Sequence, residues 1–544
     1  MKNNLYTPKV LWQDFDVGLP LECTVTKTSR INDAEAVEMF FSGRGAEEGR
    51  PRIYGVLLKS HPESKAVLVV AGDRGESLDL GKYRDLSEKY NLFCFDYSGE
   101  RTDTPDHTYY AIPLDYANAK TAGDAFDRAP SNAKQTPVYE WCAACRYAVS
   151  MAFELGFERV GLLGIGEGGN VAIMTAAFDE RVCCVVSCFG GGWERYQTNF
   201  KYGPAPEPEI SEEFSRYVAG CEVENYAQNV KVPVLYQSST NHKRYQMDRV
   251  NDTLFRMSDV VFHFAPRLSA QFGSCFERNL GLFLDEHLLD GEKSGVQTPQ
   301  MKTEISGGKL KCRLLAPLNK VVNAKVYYSA NRYNPAVRDW RETAFSDKGE
   351  CEIELYEGED LLFLFPQVQF ESGYTLSGKL VVLNDLSGVT KESFVPSQVL
   401  YTSAMGTDTF TTYSERGEVI FSEENVRLEK GAFKIEGITD RGNRLATYKV
   451  NDARFRFDVD TITFDLCAKN AQTLHVVTFE RFNAPGEARY VAEVKVLGGD
   501  MWQPVTLSAK EFKGEKTSLR SFGEVNLLLF ASEDEVLFNN ILWV

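Results

Sequence analysis

The segment Val160-Gly161-Leu162-Leu163-Gly164-Ile165-Gly166-Glu167-Gly168-Gly169 decides the fold of this chain. It begins as an apolar strand pattern, and residues 170–178 then have the spacing of a helix. A strand that turns directly into a helix needs a strained residue at the turn and small residues two positions before and after it. Gly164 and Gly168 have that spacing around Gly166, so we predict a sharp turn at Gly166 and a helix from about Gly168.

The residues on both sides of this segment alternate strands with helices. Runs that are apolar on both faces, separated by helical patterns, are typical of a mostly parallel sheet covered by helices on both faces. We assign this pattern to a first domain, residues 1–292, with two long polar insertions at 98–136 and 190–229 that are typical of lids or pocket walls. The predicted strands are residues 37–41, 53–58, 66–71, 92–95, 160–163, 183–188, 232–237 and 260–265, and the main helices are residues 138–155, 170–178 and 275–289.

Helical periodicity disappears after the polar linker at residues 291–299. Short β patterns then predict a small immunoglobulin-like sandwich at 300–392. A second all-β domain, predicted as a jelly roll, covers 397–544, and its expected strands include residues 455–459.

The charge of the chain narrows the choice of partners. A net charge of -17 argues against nucleic acid and against an anionic membrane. No apolar run reaches the roughly 18 residues that a membrane-spanning helix needs, and residues 1–16 lack a signal-peptide pattern. We therefore predict a cytoplasmic chain that binds neither nucleic acid nor membrane, with its oligomeric state left open.

The twelve cysteines lie scattered, mostly in apolar runs, where a free cysteine behaves as a small hydrophobic residue. Cys142 and Cys145 have thioredoxin-like spacing, but redox chemistry needs the first cysteine at a helix start that follows a strand. Here both lie inside a helical run, so we interpret them as packing residues. No histidine or cysteine spacing suits zinc, and we predict neither a metal nor a cofactor.

The segment 160–169, with the following helix and Phe178-Asp179-Glu180-Arg181-Val182, resembles the nucleophile elbow of α/β-hydrolases in the acetylxylan esterase and dienelactone hydrolase branch. The resemblance covers residues 30–290 and implies the α/β-hydrolase fold. The family carries its catalytic serine where this chain has Gly166.

Glu167 offers an alternative, since some hydrolases of this fold use a carboxylate nucleophile. That register would put the branched Ile165 where the turn requires a small residue. Glu167 is therefore interpreted as a solvent-facing residue in the first helical turn, next to the positive end of the helix dipole.

The resemblance also implies a catalytic acid after strand 232–237 and a histidine after strand 260–265. His242 stands where the acid is expected, and the loop 266–272 contains no histidine. A triad works as a unit, so these departures argue against ordinary ester hydrolysis. His263 is interpreted as a packed core residue. Asp248 and Asp252 are later candidates for the acid, but their pattern is typical of helix-surface charges.

An oxyanion hole needs only backbone N–H groups, here near Asp73 and after Gly166. A pocket that keeps those donors could bind a carbonyl or carboxylate without cleaving it. The candidate ligand-binding residues are Asp73 and Glu167, with Trp193 and Tyr196 of the second insertion.

The C-terminal domain has a separate resemblance, carried by residues 502–507, Phe512 and residues 536–543, to galactose-binding-like jelly rolls of carbohydrate-binding modules. Those modules often hold a calcium ion through an acid near the last strand, where this chain has Asn539-Asn540, so no metal is predicted. Trp502 is interpreted as core packing, with a sugar platform as the alternative.

Three hypotheses follow from the sequence. The first is a non-catalytic or repurposed hydrolase relative that binds a small carbonyl-bearing or carbohydrate-derived ligand. The second is an active hydrolase with a displaced catalytic set, and the third is a multidomain scaffold protein. Fold alone does not choose between them.

Overall fold

The computed structural model describes residues 5–31, 34–45, 49–100, 106–122, 127–196, 199–204, 209–268, 275–407, 410–413, 419–420 and 425–544. Among these residues, none of the helices combines the length and the apolar character needed to span a bilayer. The described helices are α1 Pro8–Trp12, α2 Arg84–Ser87, α3 Ala119–Ala122, α4 Pro137–Glu154, α5 Glu167–Ala176, α6 Glu212–Cys221, α7 Met247–Leu254 and α8 Cys275–His287.

The first nine described strands form one sheet in the order β1-β2-β3-β5-β4-β6-β7-β8-β9. Strands from β5 to β9 in that order pair in parallel, and β1, β2 and β3 are joined antiparallel. This is the α/β-hydrolase fold, as predicted. The strands are β1 Thr24–Ile31, β2 Ala34–Ser42, β3 Arg52–Lys59, β4 Ala66–Ala71, β5 Asn91–Phe95, β6 Arg159–Ile165, β7 Val182–Cys188, β8 Val234–Ser239 and β9 Val260–Ala265.

Helix α4 is buried along almost its whole length. Its outer side is covered by the N-terminal segment, where the Trp12 ring stacks on Tyr139 with centroids 4.7 Å apart. Cys142 and Cys145 are buried inside this helix, and burial raises the pKa of both thiols. Raised pKa values disfavour the thiolate that redox chemistry needs, in agreement with the packing interpretation.

The next strands form two antiparallel sheets around a shared apolar core. One contains β10, β11 and β14, and the other contains β12, β13, β15, β16 and β17. They are β10 Gln300–Ser306, β11 Lys309–Leu315, β12 Val321–Ala330, β13 Arg341–Ala344, β14 Glu350–Ile353, β15 Leu362–Phe370, β16 Thr375–Ser377 and β17 Val381–Leu383.

The remaining described strands also form two antiparallel sheets, of six strands each, with a common core. The expected strand at residues 455–459 is wrong: a 3₁₀ turn covers 453–455, and its first residues are capped by the Asp452 side chain, which accepts the Arg454 N–H at 2.9 Å. The strands are β18 Val399–Tyr401, β19 Phe410–Tyr413, β20 Val419–Ile420, β21 Val426–Lys430, β22 Glu436–Asp440, β23 Arg444–Thr447, β24 Thr461–Ala468, β25 Gln472–Glu480, β26 Ala488–Val496, β27 Met501–Ser508, β28 Val525–Ala531 and β29 Val536–Trp543.

The residues after 300 pack closely on the nine-stranded sheet. At its edge strand β9, the Phe264 N–H donates to Ser377 Oγ at 2.9 Å, and Gln367 Nε2 donates to the Phe264 carbonyl at 3.0 Å. The apolar core of the sheet continues through Trp340 and Phe363. These bonds give polar partners to an edge that would otherwise expose unpaired backbone groups.

Candidate functional site

The turn predicted at Gly166 is present at the carboxyl end of β6. Gly166 has φ 57° and ψ -121°, a conformation that side chains disfavour, and α5 begins at the next residue. The flanking glycines are required by space. A Cβ on Gly164 would lie 2.1 Å from the Gly168 carbonyl oxygen, and a Cβ on Gly168 would lie 1.9 Å from that of Ala71.

The space beside Gly166 is occupied by the carboxylate of Asp73, which follows β4. A Cβ on Gly166 would lie 2.3 Å from Asp73 Oδ1 and 2.6 Å from its Cγ. The same Oδ1 accepts the backbone N–H of Arg74 at 2.9 Å and that of Glu167 at 3.3 Å. The backbone N–H groups that were expected to form the oxyanion hole therefore donate to the protein's own Asp73 carboxylate.

The charge state of Asp73 reflects its surroundings. Asp73 as a whole is exposed, but neighbouring protein atoms displace water from its carboxyl group. This desolvation raises the pKa of Asp73. The two backbone N–H bonds oppose this rise, and the nearby Glu167 carboxylate adds to it.

Glu167 does not face solvent, which corrects the sequence interpretation. It is buried, and its Oε1 lies 2.5 Å from Arg244 Nη2 and accepts the Tyr245 hydroxyl at 3.0 Å. The sequence predicted the position of Glu167 at the start of a helix. It did not predict the cationic partner Arg244, which lies in the loop after β8. A charged residue beyond the carboxyl end of a parallel strand was the available signal for Arg244.

Two further carboxylates extend this network. Arg244 Nη2 also lies 3.1 Å from Glu194 Oε1, and the Glu194 backbone N–H donates to Glu222 Oε1 at 2.5 Å. Burial raises the pKa of Glu194 to about 7 and that of Glu222 to about 8. Nothing in the sequence spacing had singled out these two glutamates.

His242 lies in the loop where the resemblance expects an acid, and it organises that loop. Its Nδ1 accepts the backbone N–H groups of Arg244 at 3.1 Å and Tyr245 at 3.0 Å. Burial, and secondarily the charge of Arg244, lowers its pKa to about 3. The imidazole is therefore neutral at physiological pH, with Nδ1 as an acceptor.

The other expected triad positions are structural or lie outside the described residues. His263 is buried in β9, as expected for a core residue. The loop 266–272 is described only as far as Leu268. Asp252 is partly exposed and pairs with Lys201 at 2.6 Å.

Asp248 is not a helix-surface charge, and that interpretation is wrong. Its carboxylate forms a two-bond ion pair with Arg338, at 2.6 and 2.7 Å, and both side chains are completely buried. Arg338 comes from the loop after β12, so this pair ties α7 to the β-rich part of the chain. Such a charge is tolerated in the interior only because it is paired.

Trp193 and Tyr196 of the second insertion are both buried. Trp193 Nε1 donates to Thr253 Oγ1 at 2.9 Å, and the Arg249 guanidinium lies 3.7 Å from the centre of the Tyr196 ring. Their proposed role in lining a ligand pocket stays a prediction.

The described residues contain no group of three or more His, Cys, Asp or Glu side chains arranged to hold a metal ion. In the C-terminal sheets, Trp502 is partly buried, donates to the Ala432 carbonyl at 3.1 Å and packs over Gly437. Asn539 accepts the Ser403 N–H at 2.9 Å and donates to the Glu436 carbonyl at 2.9 Å, so its amide holds two segments together.

Comparison with known proteins found solved structures that resemble this chain, but no family model and no curated protein matches the sequence. An acetyl xylan esterase from Thermoanaerobacterium sp. is 15% identical, with a TM-score of 0.39, over 52% of this chain and 95% of its own. One from Paenibacillus sp. is 16% identical, with a TM-score of 0.38, over 52% of this chain and 92% of its own.

A cold-adapted esterase from an Arctic intertidal metagenomic library is 14% identical, with a TM-score of 0.32, over 49% of this chain and 99% of its own. At these identities the likeness concerns the fold alone. The α/β-hydrolase fold of the first part of the chain is therefore assigned from the strand order and pairing of its nine-stranded sheet.

Proposed function

We propose that this protein is a hydrolase-fold protein that binds a small ligand at the elbow without hydrolysing it. The observation that carries the proposal is the position of Asp73. Its carboxylate fills the space of a side chain at residue 166 and accepts the Glu167 N–H. Acyl transfer needs a nucleophilic side chain at residue 166, and it needs the Glu167 N–H to donate to the oxyanion of the substrate.

The charges at the elbow narrow the ligand class. Asp73 and Glu167 bring two carboxylates, and Arg244 pairs with Glu167. An incoming carboxylate would meet the negative charge of Asp73. A carbohydrate-derived hydroxyl group can donate a hydrogen bond to Asp73 and leave the network in place. A polyhydroxylated ligand is therefore the better fit to this geometry than a bare carboxylate.

A second candidate function is favoured by the same carboxylate. Asp73 is exposed, and its carboxylate lies beside Gly166, the position at which α/β-hydrolases have their catalytic serine. A carboxylate there could act as a general base on water. This would make the protein an active hydrolase with a displaced catalytic group.

Hydrolysis of p-nitrophenyl acetate and butyrate separates the two candidates. We expect no rate above buffer and no labelling by a fluorophosphonate probe, because Gly166 has no side chain to acylate. The matched variant Asp73→Asn keeps the shape and removes the charge, and it should leave that background unchanged. Turnover in the unmodified protein that Asp73→Asn abolishes would overturn the binding proposal and support the second candidate.

A further inference from the structure

A cleft of about 680 Å³ opens away from the elbow residues, where the second insertion meets the β-rich part of the chain. Its lining includes Tyr202 of the insertion, Tyr333, and Val382 of β17. Its volume lies in the range of small-molecule sites. None of its lining residues belongs to the network around Gly166.

Two tyrosines and several apolar side chains make up much of the lining. Tyr202 packs against Phe363 with ring centroids 5.5 Å apart, which holds its ring in place. Tyr333 is 43% exposed. The two tyrosines are close neighbours in space, because a Cβ on Gly203 would lie 3.7 Å from Tyr333 Cβ. Leu380 and Val382 add apolar surface to the lining.

The single charge of the lining is balanced by a lysine beside it. Asp360 is the one acidic residue among the described residues that line the cleft, and its Oδ1 pairs closely with Lys391 Nζ. Asn384 is exposed and has an amide that can both donate and accept. Because Lys391 balances Asp360, the cleft offers little electrostatic preference for an anion or a cation.

The cleft is held open by bonds within the chain. Asn331 Oδ1 accepts the backbone N–H groups of Asp360 at 3.0 Å and Leu361 at 2.9 Å. Both of these residues line the cleft, so this rim is fixed before any ligand arrives. A preformed site avoids part of the ordering cost of binding.

We propose that this cleft is a second binding site and that it takes a neutral saccharide. Such a ligand has C–H faces that pack on tyrosine rings and hydroxyl groups that bond to an amide and a carboxylate at the rim. A purely apolar ligand would leave the polar lining groups without partners, and a charged ligand would find only a carboxylate that Lys391 already pairs with. The inference is independent of the function proposed for the elbow.

Titration of the full chain with xylotetraose and with cellotetraose, followed by calorimetry and ligand-observed NMR, tests the proposal. We expect saturable binding with Kd on the order of 1 mM for at least one of the two. Tyr333→Ala should weaken it about 5- to 10-fold, because the stacking face is lost, while Tyr333→Phe should stay within about 2-fold. Both variants change an exposed side chain, so the fold should survive.

Two controls separate this site from the alternatives. Trp502→Ala in the C-terminal sheets should leave the affinity unchanged. The loss caused by Tyr333→Ala should be the same in an Asp73→Asn background, in which binding of sugar at the elbow is weakened. The proposal is overturned if neither tetrasaccharide binds. It is equally overturned if Tyr333→Ala leaves the affinity unchanged in the Asp73→Asn background, or if binding is lost with Trp502→Ala, since the sugar would then occupy another site.

Discussion

Asp73 Oδ1 lies 2.3 Å from the position that the first side-chain carbon of residue 166 would take. The two residues are 93 positions apart in the chain, at the ends of neighbouring strands β4 and β6. Glycine at 166 and aspartate at 73 are therefore mutually dependent. Any side chain at 166 has to displace the carboxylate that now accepts the Glu167 N–H.

Gly166→Ser should lower the free energy of unfolding by about 1–2 kcal/mol, because it adds backbone strain and displaces the Asp73 carboxylate from the Glu167 N–H. Gly406→Ser is a matched control, since Gly406 also has positive φ, at 72°, with no described atom within 4 Å of an added Cβ. It should cost only the strain, about 1 kcal/mol. The measurement is denaturant unfolding of both variants.

The double variant Gly166→Ser with Asp73→Ala isolates the collision. Removing the carboxylate should bring the cost of Gly166→Ser close to that of Gly406→Ser, so that the two changes are strongly non-additive. Equal costs for Gly166→Ser with and without Asp73 would show that the two side chains do not compete for one space.

Asp248→Asn should cost about 3–5 kcal/mol, because it leaves the buried guanidinium of Arg338 without a counter-charge. Asp252→Asn breaks the partly exposed pair with Lys201 and should cost less than about 1 kcal/mol. Thermal and denaturant unfolding give both values. Similar costs for the two variants would contradict the role given to the buried pair.

Glu222→Gln should stabilise the protein above neutral pH. The pKa of Glu222 is raised to about 8 in the folded state from an ordinary value near 4.5, chiefly by burial and secondarily by Glu194. Between these two pH values the folded state binds more protons than the unfolded state. The stability that Glu222 contributes is therefore fully present below about pH 4.5 and is lost as the pH rises through about 8. Glutamine keeps the acceptor of the Glu194 N–H and removes the charge.

The unfolding free energies of Glu222→Gln and the unmodified protein should therefore be similar at pH 4.5. They should differ by a few kcal/mol at pH 9, with the variant more stable. Glu212→Gln, at an exposed position of the same helix region, provides the comparison. A difference that does not grow with pH would show that Glu222 is not the group that titrates.

Limited proteolysis should cut first near residues 290–300 and 390–400, where the sequence predicts the boundaries between folded units. Residues 291–299 contain no helix or strand and are mostly exposed, and Val395 is 91% exposed. The first two fragments should stay together on size-exclusion chromatography because Asp248 and Arg338 join them. Early cutting within 160–190 would argue against these boundaries.

The local features of the fold were readable from the sequence. The apolar run at residues 66–71 is a strand, because burial on both faces requires apolar residues at every position. The turn at Gly166 was readable for a related reason. The collisions that require Gly164 and Gly168 involve backbone atoms within a few residues and the neighbouring strand.

One local pattern misled the prediction of secondary structure. Residues 455–459 have the alternation of a strand, and Phe455 and Phe457 do pack against the C-terminal core. The backbone there begins instead with a 3₁₀ turn that the Asp452 side chain caps. A short apolar alternation does not specify a strand when a nearby side chain satisfies the backbone in another way.

The chemistry of the candidate site was decided by the tertiary structure. Sequence spacing identified Asp73, Glu167 and His242 as positions of interest. The same reasoning wrongly predicted that Glu167 faces solvent and that Asp248 is a charge on a helix surface. The Glu167–Tyr245 contact spans 78 positions and the Asp248–Arg338 pair spans 90. Whether a carboxylate is paired depends on which cation the fold brings to it, and no local pattern records a partner that distant.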